Sequence, residues 1–172
     1  MATTEDLATS SFRRDDPRLL ADAGAFYQAF SDLLRLVQFR DRDRACCYDV
    51  SVTQCYALEA VVDGGPLTVN ALAARLLLEK STVSRVADGL EGKGYLTRTR
   101  GAQDGRLVHL VATDSGRSLC ARIEADLSRD YAELLGDFDP EVRSALTRLV
   151  GRLAKSFAAR VDATGGSCCV VR

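Results

Sequence analysis

The sequence has no tryptophan, a single histidine and no long apolar run. With His109 alone, zinc sites built from several histidines are excluded, and a nucleophile–histidine pair would depend on this one residue. No apolar run approaches the roughly 18 residues that a membrane helix needs. The amino terminus is acidic where a secretory signal would be positive, so we expect a cytosolic protein with no membrane partner. Hydrolytic chemistry is poorly supported.

An overall excess of basic residues is also lacking. The chain of 172 residues carries 23 Lys and Arg against 24 Asp and Glu, a net charge of −1. Any surface for nucleic acid must therefore be local. The length, with 47% hydrophobic residues, suffices for one compact domain or two closely joined small ones.

Apolar residues recur at helical spacing over most of the sequence, which predicts a mainly α-helical chain. A polar segment at residues 1–17 is expected to be a flexible arm, and a long first helix follows it. Ser51 opens a Ser-x-x-Gln capping box for a second helix. In the last third, Asp139 and Pro140 have the form of a helix start, so long helices are expected at both ends.

The middle of the chain predicts a helix-turn-helix followed by a hairpin. Thr68 can cap a short helix, and a second helix runs from about Lys80 to Lys93. Two short runs at 95–100 and 107–111, separated by a Gly-rich tip, are typical of a β-hairpin. Two short helices followed directly by a basic hairpin is the order of a winged helix-turn-helix.

Positive charge is concentrated in this segment. Between Arg75 and Arg106 there are seven Lys and Arg against four Asp and Glu, a local net charge of +3. Such a segment suits DNA phosphates, although an excess of this size is also common on a solvated helix face.

Three motifs in this region resemble the MarR family of transcriptional regulators. They are the stretch from Lys80 to Arg98, Asp104-Gly105-Arg106, and Thr113-Asp114-Ser115-Gly116, which are similar to that family's recognition helix, wing and wing exit. The resemblance runs from about residue 18 to residue 160. It departs from the family pattern at Ala112, where the family usually has leucine.

The resemblance implies a homodimer that binds double-stranded DNA. Helices at 18–50 and 114–162 would form a dimerisation domain, 51–113 a winged helix-turn-helix, and 163–172 a tail that contains cysteines. Two recognition helices would enter successive major grooves of a pseudo-palindromic operator. Proteins of this family usually act as repressors that are released from DNA by a small inducer or by thiol chemistry. No cofactor is required for DNA binding.

The residue chemistry supports specific roles in DNA binding. We expect Arg85 to read guanine, Arg106 to enter a minor groove with Asp104 orienting it, and the strand residues Arg98 and Arg100 to contact phosphates. The alternative is that the wing residues only stabilise the hairpin and the helix residues only keep it soluble. The predicted DNA-binding residues are Lys80, Ser81, Thr82, Ser84, Arg85, Arg98, Arg100, Asp104 and Arg106.

Five of the six cysteines form a candidate sensor: Cys46, Cys47, Cys55, Cys168 and Cys169. Adjacent thiols suit a soft metal or metalloid such as arsenic, mercury, cadmium or zinc, and they also suit oxidation. The sequence leaves metal sensing, oxidant sensing and an inert role open, and an aromatic organic inducer would need none of these thiols.

The remaining alternatives have less support. Cys120 lies on an apolar stripe and is predicted to be a core residue. A thiol redox or detoxification enzyme built on Cys46 and Cys47 is disfavoured because no βαβ pattern is present. A helical interaction module would leave the polar outer face of residues 80–88 unexplained.

Overall fold

The computed structural model describes residues 16–45, 48–100 and 107–163. It confirms a mainly α-helical winged-helix fold. The chain divides into two compact units, Met1–Val52 and Thr53–Arg172. In chain order the elements are α1 (Pro17–Ala45), α2 (Val52–Gly64), β1 (Leu67–Thr68), α3 (Val69–Leu76), α4 (Lys80–Gly92), β2 (Leu96–Arg100), β3 (Val108–Ala112), α5 (Asp114–Gly136) and α6 (Pro140–Ala163).

Helix α1 is the principal element of the first unit and is 29 residues long. The Asp16 carboxylate accepts a hydrogen bond from the Arg18 backbone N–H at 3.0 Å, which caps the helix. Pro17, which we assigned to the flexible arm, is instead the first helical residue, because its fixed φ suits that position. Large apolar side chains remain exposed along α1: Leu19, Leu20, Phe26, Tyr27, Leu33, Leu34, Leu36 and Phe39.

The core of the second unit lies among the three short helices and the sheet. Apolar side chains three or four residues apart on the helices, and at alternate positions on the strands, face this core. Thr68 caps α3 as predicted, since its hydroxyl accepts a hydrogen bond from the Ala71 N–H at 3.2 Å. The largest fully buried side chains are Leu58, Val61, Leu72, Val83, Leu90, Leu96 and Leu110.

The sheet has three antiparallel strands in the order β1-β3-β2 within the described residues. The predicted hairpin is confirmed, with Leu96 opposite Ala112 and Arg100 opposite Val108. Ala112, the departure from the family pattern, is buried in β3. Strand β1 was not predicted, because two residues carry no recognisable periodicity.

Thr113 joins the wing to α5. Its hydroxyl donates to the Gly94 carbonyl at 2.7 Å and accepts from the Gly116 N–H at 3.0 Å. Gly116 packs so closely that a Cβ there would lie 2.2 Å from the Tyr95 carbonyl oxygen. The wing-exit motif therefore fixes the first turn of α5 against the chain between α4 and β2.

Helix α6 begins at Pro140 as predicted and is 24 residues long. Its apolar side chains include an exposed group: Val142, Leu146, Leu149, Val150 and Phe157. Among the described residues, none of the helices combines the length and the apolar character needed to cross a bilayer.

Candidate nucleic-acid interface

Helix α4 has one buried face and one polar face. Val83, Ala87 and Leu90 are completely buried, because they recur at helical spacing toward the core. The predicted DNA-binding residues on this helix lie elsewhere on its surface: Lys80, Ser81, Thr82 and Arg85 are exposed, and Ser84 is half-buried. The helix therefore presents hydroxyls, an ammonium and a guanidinium to solvent within its first two turns.

The turn between α3 and α4 sets the direction of this helix. Leu77 adopts a left-handed conformation with φ of 54°, and its side chain is 65% exposed. The Leu78 N–H donates to the Ala73 carbonyl at 3.0 Å, and the Leu77 N–H donates to the Ala74 carbonyl at 3.3 Å. These two bonds form a Schellman motif, which ends α3 and starts a new direction for the chain.

Arg98 of β2 faces α4 and contacts two of its carboxylates. Its Nη2 lies 2.6 Å from the Asp88 Oδ1, and its Nη1 donates to Glu91. The hydrogen bond from Arg98 to Asp88 is the main cause that raises the pKa of the guanidinium above its ordinary value. The sequence analysis predicts that Arg98 contacts a DNA phosphate. In the structure its partners are two carboxylates of the same chain.

Three predicted DNA-binding residues remain: Arg100, Asp104 and Arg106. Arg100, at the end of β2, is exposed. Asp104 and Arg106 lie outside the described residues, so their roles stay predictions. Sequence reasoning missed that Asp88 and Glu91 are partners of Arg98. The only signal was their opposite charge. Because the helix ends before Arg98, helical spacing does not relate this residue to the two carboxylates.

A family model described as MarR family matches residues 48–107, which include α2, α3, α4 and β2. The chain contains a MarR family domain. The relatives described below are named as transcriptional regulators, and the chain spans slightly less than two thirds of the length of the first of them.

Known proteins resemble this chain in both sequence and fold. The HTH-type transcriptional regulator SarZ of Staphylococcus saprophyticus is 31% identical over 99 residues, which cover 58% of this chain and 65% of SarZ. A MarR family protein from Bacillus stearothermophilus superposes with a TM-score of 0.71 at 22% identity, covering 83% of this chain and 98% of that one. Streptococcus pneumoniae FabT in complex with DNA gives a TM-score of 0.71 at 18% identity, with coverages of 80% and 98%.

Two cysteines lie in the described part of this chain, Cys55 on α2 and Cys120 on α5, and both thiols are half-buried. Burial, with a smaller contribution from Cys55, raises the pKa of Cys120 to about 11. Among the described residues, no three His, Cys, Asp or Glu side chains lie close enough together to hold a metal ion. The other predicted ligands lie outside these residues: Cys46, Cys47, Cys168 and Cys169.

A surface depression of about 410 Å³ lies in the second unit, at the start of α5. It combines a phenol ring, two hydroxyls, a carboxylate, a leucine side chain and a guanidinium. Its lining residues are Tyr95, Asp114, Ser115, Ser118, Leu119 and Arg122.

Proposed function

We propose that this protein is a dimeric, sequence-specific DNA-binding repressor that acts in the cytoplasm. The observation that carries the proposal is the outer face of α4, where Ser81, Thr82 and Arg85 are exposed, whereas the stripe of apolar residues on the same helix is fully buried. A helix held in this way can enter a major groove without disturbing its own core.

The side chains on this face suit two kinds of DNA contact. The Arg85 guanidinium has the fork geometry that binds O6 and N7 of guanine, so it would specify sequence. Ser81 and Thr82 carry short hydroxyls suited to phosphate oxygens, which position the helix without reading bases. On the wing, Arg100 would contact a phosphate and Arg106 a minor groove.

A homodimer would double this surface and place two copies of α4 in successive grooves, about 34 Å apart. The exposed apolar side chains of α1 and of α6 support dimerisation, because faces of this kind are usually covered by a partner. The complex of FabT with DNA supports DNA as the ligand of this fold.

Binding to DNA from upstream of the protein's own gene tests the proposal, measured by fluorescence anisotropy at several salt concentrations. Arg85→Ala should cost ~1–3 kcal/mol of discrimination between the operator and a scrambled duplex. Arg100→Ala should weaken binding to both duplexes alike and lower the salt slope by about 1. A wild-type protein that binds neither duplex at low salt would overturn the proposal, and equal losses of discrimination would show the two roles to be misassigned.

We propose further that DNA release is controlled through the cysteines Cys46, Cys47, Cys55, Cys168 and Cys169, by a soft metal or metalloid or by oxidation. Thiolates bind such metals and react with peroxides, and the neighbouring Arg42 and Arg44 would lower the pKa of the first pair. The high pKa of Cys120 favours leaving it out of the sensor, since a thiol that stays protonated is a poor ligand and nucleophile.

A small aromatic acid is the alternative inducer. The depression at the start of α5 supports it, because Arg122 could pair with a carboxylate while Tyr95 and Leu119 contact a ring.

Release of a preformed protein–DNA complex separates these inducers. Arsenite or Hg²⁺ should release DNA if metals are sensed, and peroxide should do so reversibly, with dithiothreitol restoring binding, if oxidation is sensed. Serine at all five proposed sensor cysteines should abolish either response, whereas Cys120→Ser should preserve it. Release by benzoate from the five-serine variant would favour the organic inducer and contradict the thiol proposal.

A further inference from the structure

We infer that Arg98 is a positioning residue: through Asp88 and Glu91 it locks the wing to the recognition helix α4 and holds that helix at the angle needed for base reading. This inference rests on the proposed DNA binding. It differs from the phosphate contact that the sequence suggests for Arg98.

Three contacts attach Arg98 to α4. Its Nη2 lies 2.6 Å from Asp88, its Nη1 donates to Glu91, and its backbone N–H donates to the Glu91 Oε1 at 3.2 Å. Asp88 and Glu91 are three residues apart, so both carboxylates lie on the same side of the helix. The Arg98 side chain is 28% exposed and is therefore held mostly between the helix and the wing.

The backbone contact has a separate consequence for the sheet. Strand β2 lies at the end of the strand order β1-β3-β2 within the described residues, so one of its edges has no strand partner there. Such an edge carries N–H groups that no strand satisfies. Glu91 accepts one of them from Arg98, so the helix attaches to the strand backbone as well as to its side chain.

The charge of this cluster argues against a phosphate contact. Two carboxylates surround one guanidinium, which gives the group of Asp88, Glu91 and Arg98 a net charge of −1 at neutral pH. A cation that is already paired in this way releases no counterion when DNA binds, so it contributes little to the salt dependence of binding. Arg100, two residues further along β2, is exposed and is the better phosphate ligand.

The position of the cluster on α4 explains how it would affect sequence reading. Asp88 follows the proposed base-reading residue Arg85 by three positions, and so lies about one helical turn away. A bidentate contact to a base tolerates little displacement of the side chain that makes it. Releasing Arg98 would let α4 move relative to the wing, and the contacts of Arg85 would loosen although Arg85 itself is unchanged.

Four variants test this role against a phosphate contact: Arg98→Met, Arg98→Lys, Asp88→Asn and Glu91→Gln, with Arg100→Met as the matched control on the same strand. Each is measured on the operator and on a scrambled duplex across a salt series. Arg98→Met should lower the operator-to-scrambled affinity ratio about tenfold and leave the salt slope unchanged. Arg100→Met should lower the salt slope by about 1 and leave the ratio unchanged.

The other three variants distinguish a positioning role of Arg98 from a purely electrostatic effect on DNA binding. Arg98→Lys keeps the charge but cannot span both carboxylates, so the ratio of operator affinity to scrambled-duplex affinity should fall as it does in Arg98→Met. Asp88→Asn and Glu91→Gln remove negative charge near DNA, which by itself would strengthen binding to both duplexes. We expect them to lower the ratio instead. A salt slope reduced by 1 in Arg98→Met, or an unchanged ratio in both carboxylate variants, would overturn the inference.

A double-mutant cycle between Arg98→Met and Asp88→Asn tests the lock without DNA. If the two side chains act together, the double variant should lower the urea midpoint by less than the sum of the two single variants. Additive shifts would overturn the lock even if the protein binds DNA. Coupled shifts in a protein that binds no duplex would retain the lock and reject the proposed function.

Discussion

At the scale of single residues, Cys120 shows how an environment decides reactivity. Burial of this thiol raises its pKa to about 11, and the nearby Cys55, Glu59, Asp63 and Glu124 add to the effect as they become negatively charged. Burial is also the first cause of the raised pKa of Glu59, with Asp63 and Glu124 contributing. A pKa of about 11 leaves roughly one Cys120 thiol in 10⁴ ionised at pH 7, so the residue behaves as a small apolar side chain.

The pH dependence of alkylation should report this pKa directly. In the folded protein we expect the rate at which iodoacetamide modifies Cys120 to rise with a midpoint near pH 11, as measured by mass spectrometry of the peptide. In urea the midpoint should return to about 8.5, the ordinary value for a thiol. Circular dichroism at each pH confirms that the chain is folded. The same midpoint in both states would contradict the proposed environment.

Some residue roles could be predicted from the sequence, and others could not. The cap at Thr68 and the start at Pro140 were found because each depends on neighbours in the sequence. The same Asp-Pro signal at Asp16 and Pro17 was missed, because the polar composition before it favoured an arm. The partners of Arg98 could not be found, since a contact across a turn depends on packing that no local spacing encodes.

At the scale of secondary-structure elements, the start of α5 depends on a close approach of two backbone segments. Gly116 lies against the Tyr95 carbonyl, and the Thr113 hydroxyl bridges the same region by accepting from Gly116 and donating to Gly94. Any side chain at Gly116 would push α5 away from the wing. This requirement gives a physical reason for glycine at the end of the Thr-Asp-Ser-Gly motif.

Alanine at two helical glycines should therefore have opposite effects. Gly116→Ala should lower the free energy of unfolding by about 2 kcal/mol or more, because its Cβ would clash with the backbone at Tyr95, which cannot move without disturbing the chain around it. Gly151→Ala in α6 has open space around the new Cβ and should raise stability by about 0.5–1 kcal/mol through helix propensity. Urea unfolding of each variant supplies the comparison, and a change of the same sign in both would exclude the close contact at Gly116.

The elements themselves were predicted with uneven success. Helices with a long apolar stripe, such as α4 and α6, begin where the sequence indicates. Strand β1 was not predicted because it consists of only two residues, Leu67 and Thr68. It forms by pairing with Leu110 and His109, which are distant in the sequence. Its existence is a property of the assembled sheet and not of its own residues.

At the scale of the whole molecule, the large apolar side chains left exposed on the long helices require an explanation. On α6, Val142, Leu146 and Leu149 are 43%, 37% and 54% exposed, and they recur at spacings that place them on one side of the helix. Exposed apolar faces of this kind usually mark an interface with another protein. A second copy of the chain is the partner that the proposed binding to a two-fold operator requires.

A charge on this face should therefore separate the proposed dimer. Leu149→Glu should raise the dimer dissociation constant by at least about 100-fold, because an unpaired carboxylate in an apolar interface costs several kcal/mol. Thr147→Glu adds the same charge about 160° away around α6 and should leave the dimer intact. Light scattering coupled to size-exclusion chromatography gives the mass of each variant. Operator affinity should fall in parallel for Leu149→Glu, since one recognition helix then binds one half-site. A wild-type protein that elutes as a single chain, or a Leu149→Glu variant that remains dimeric, would show that this face of α6 has another role.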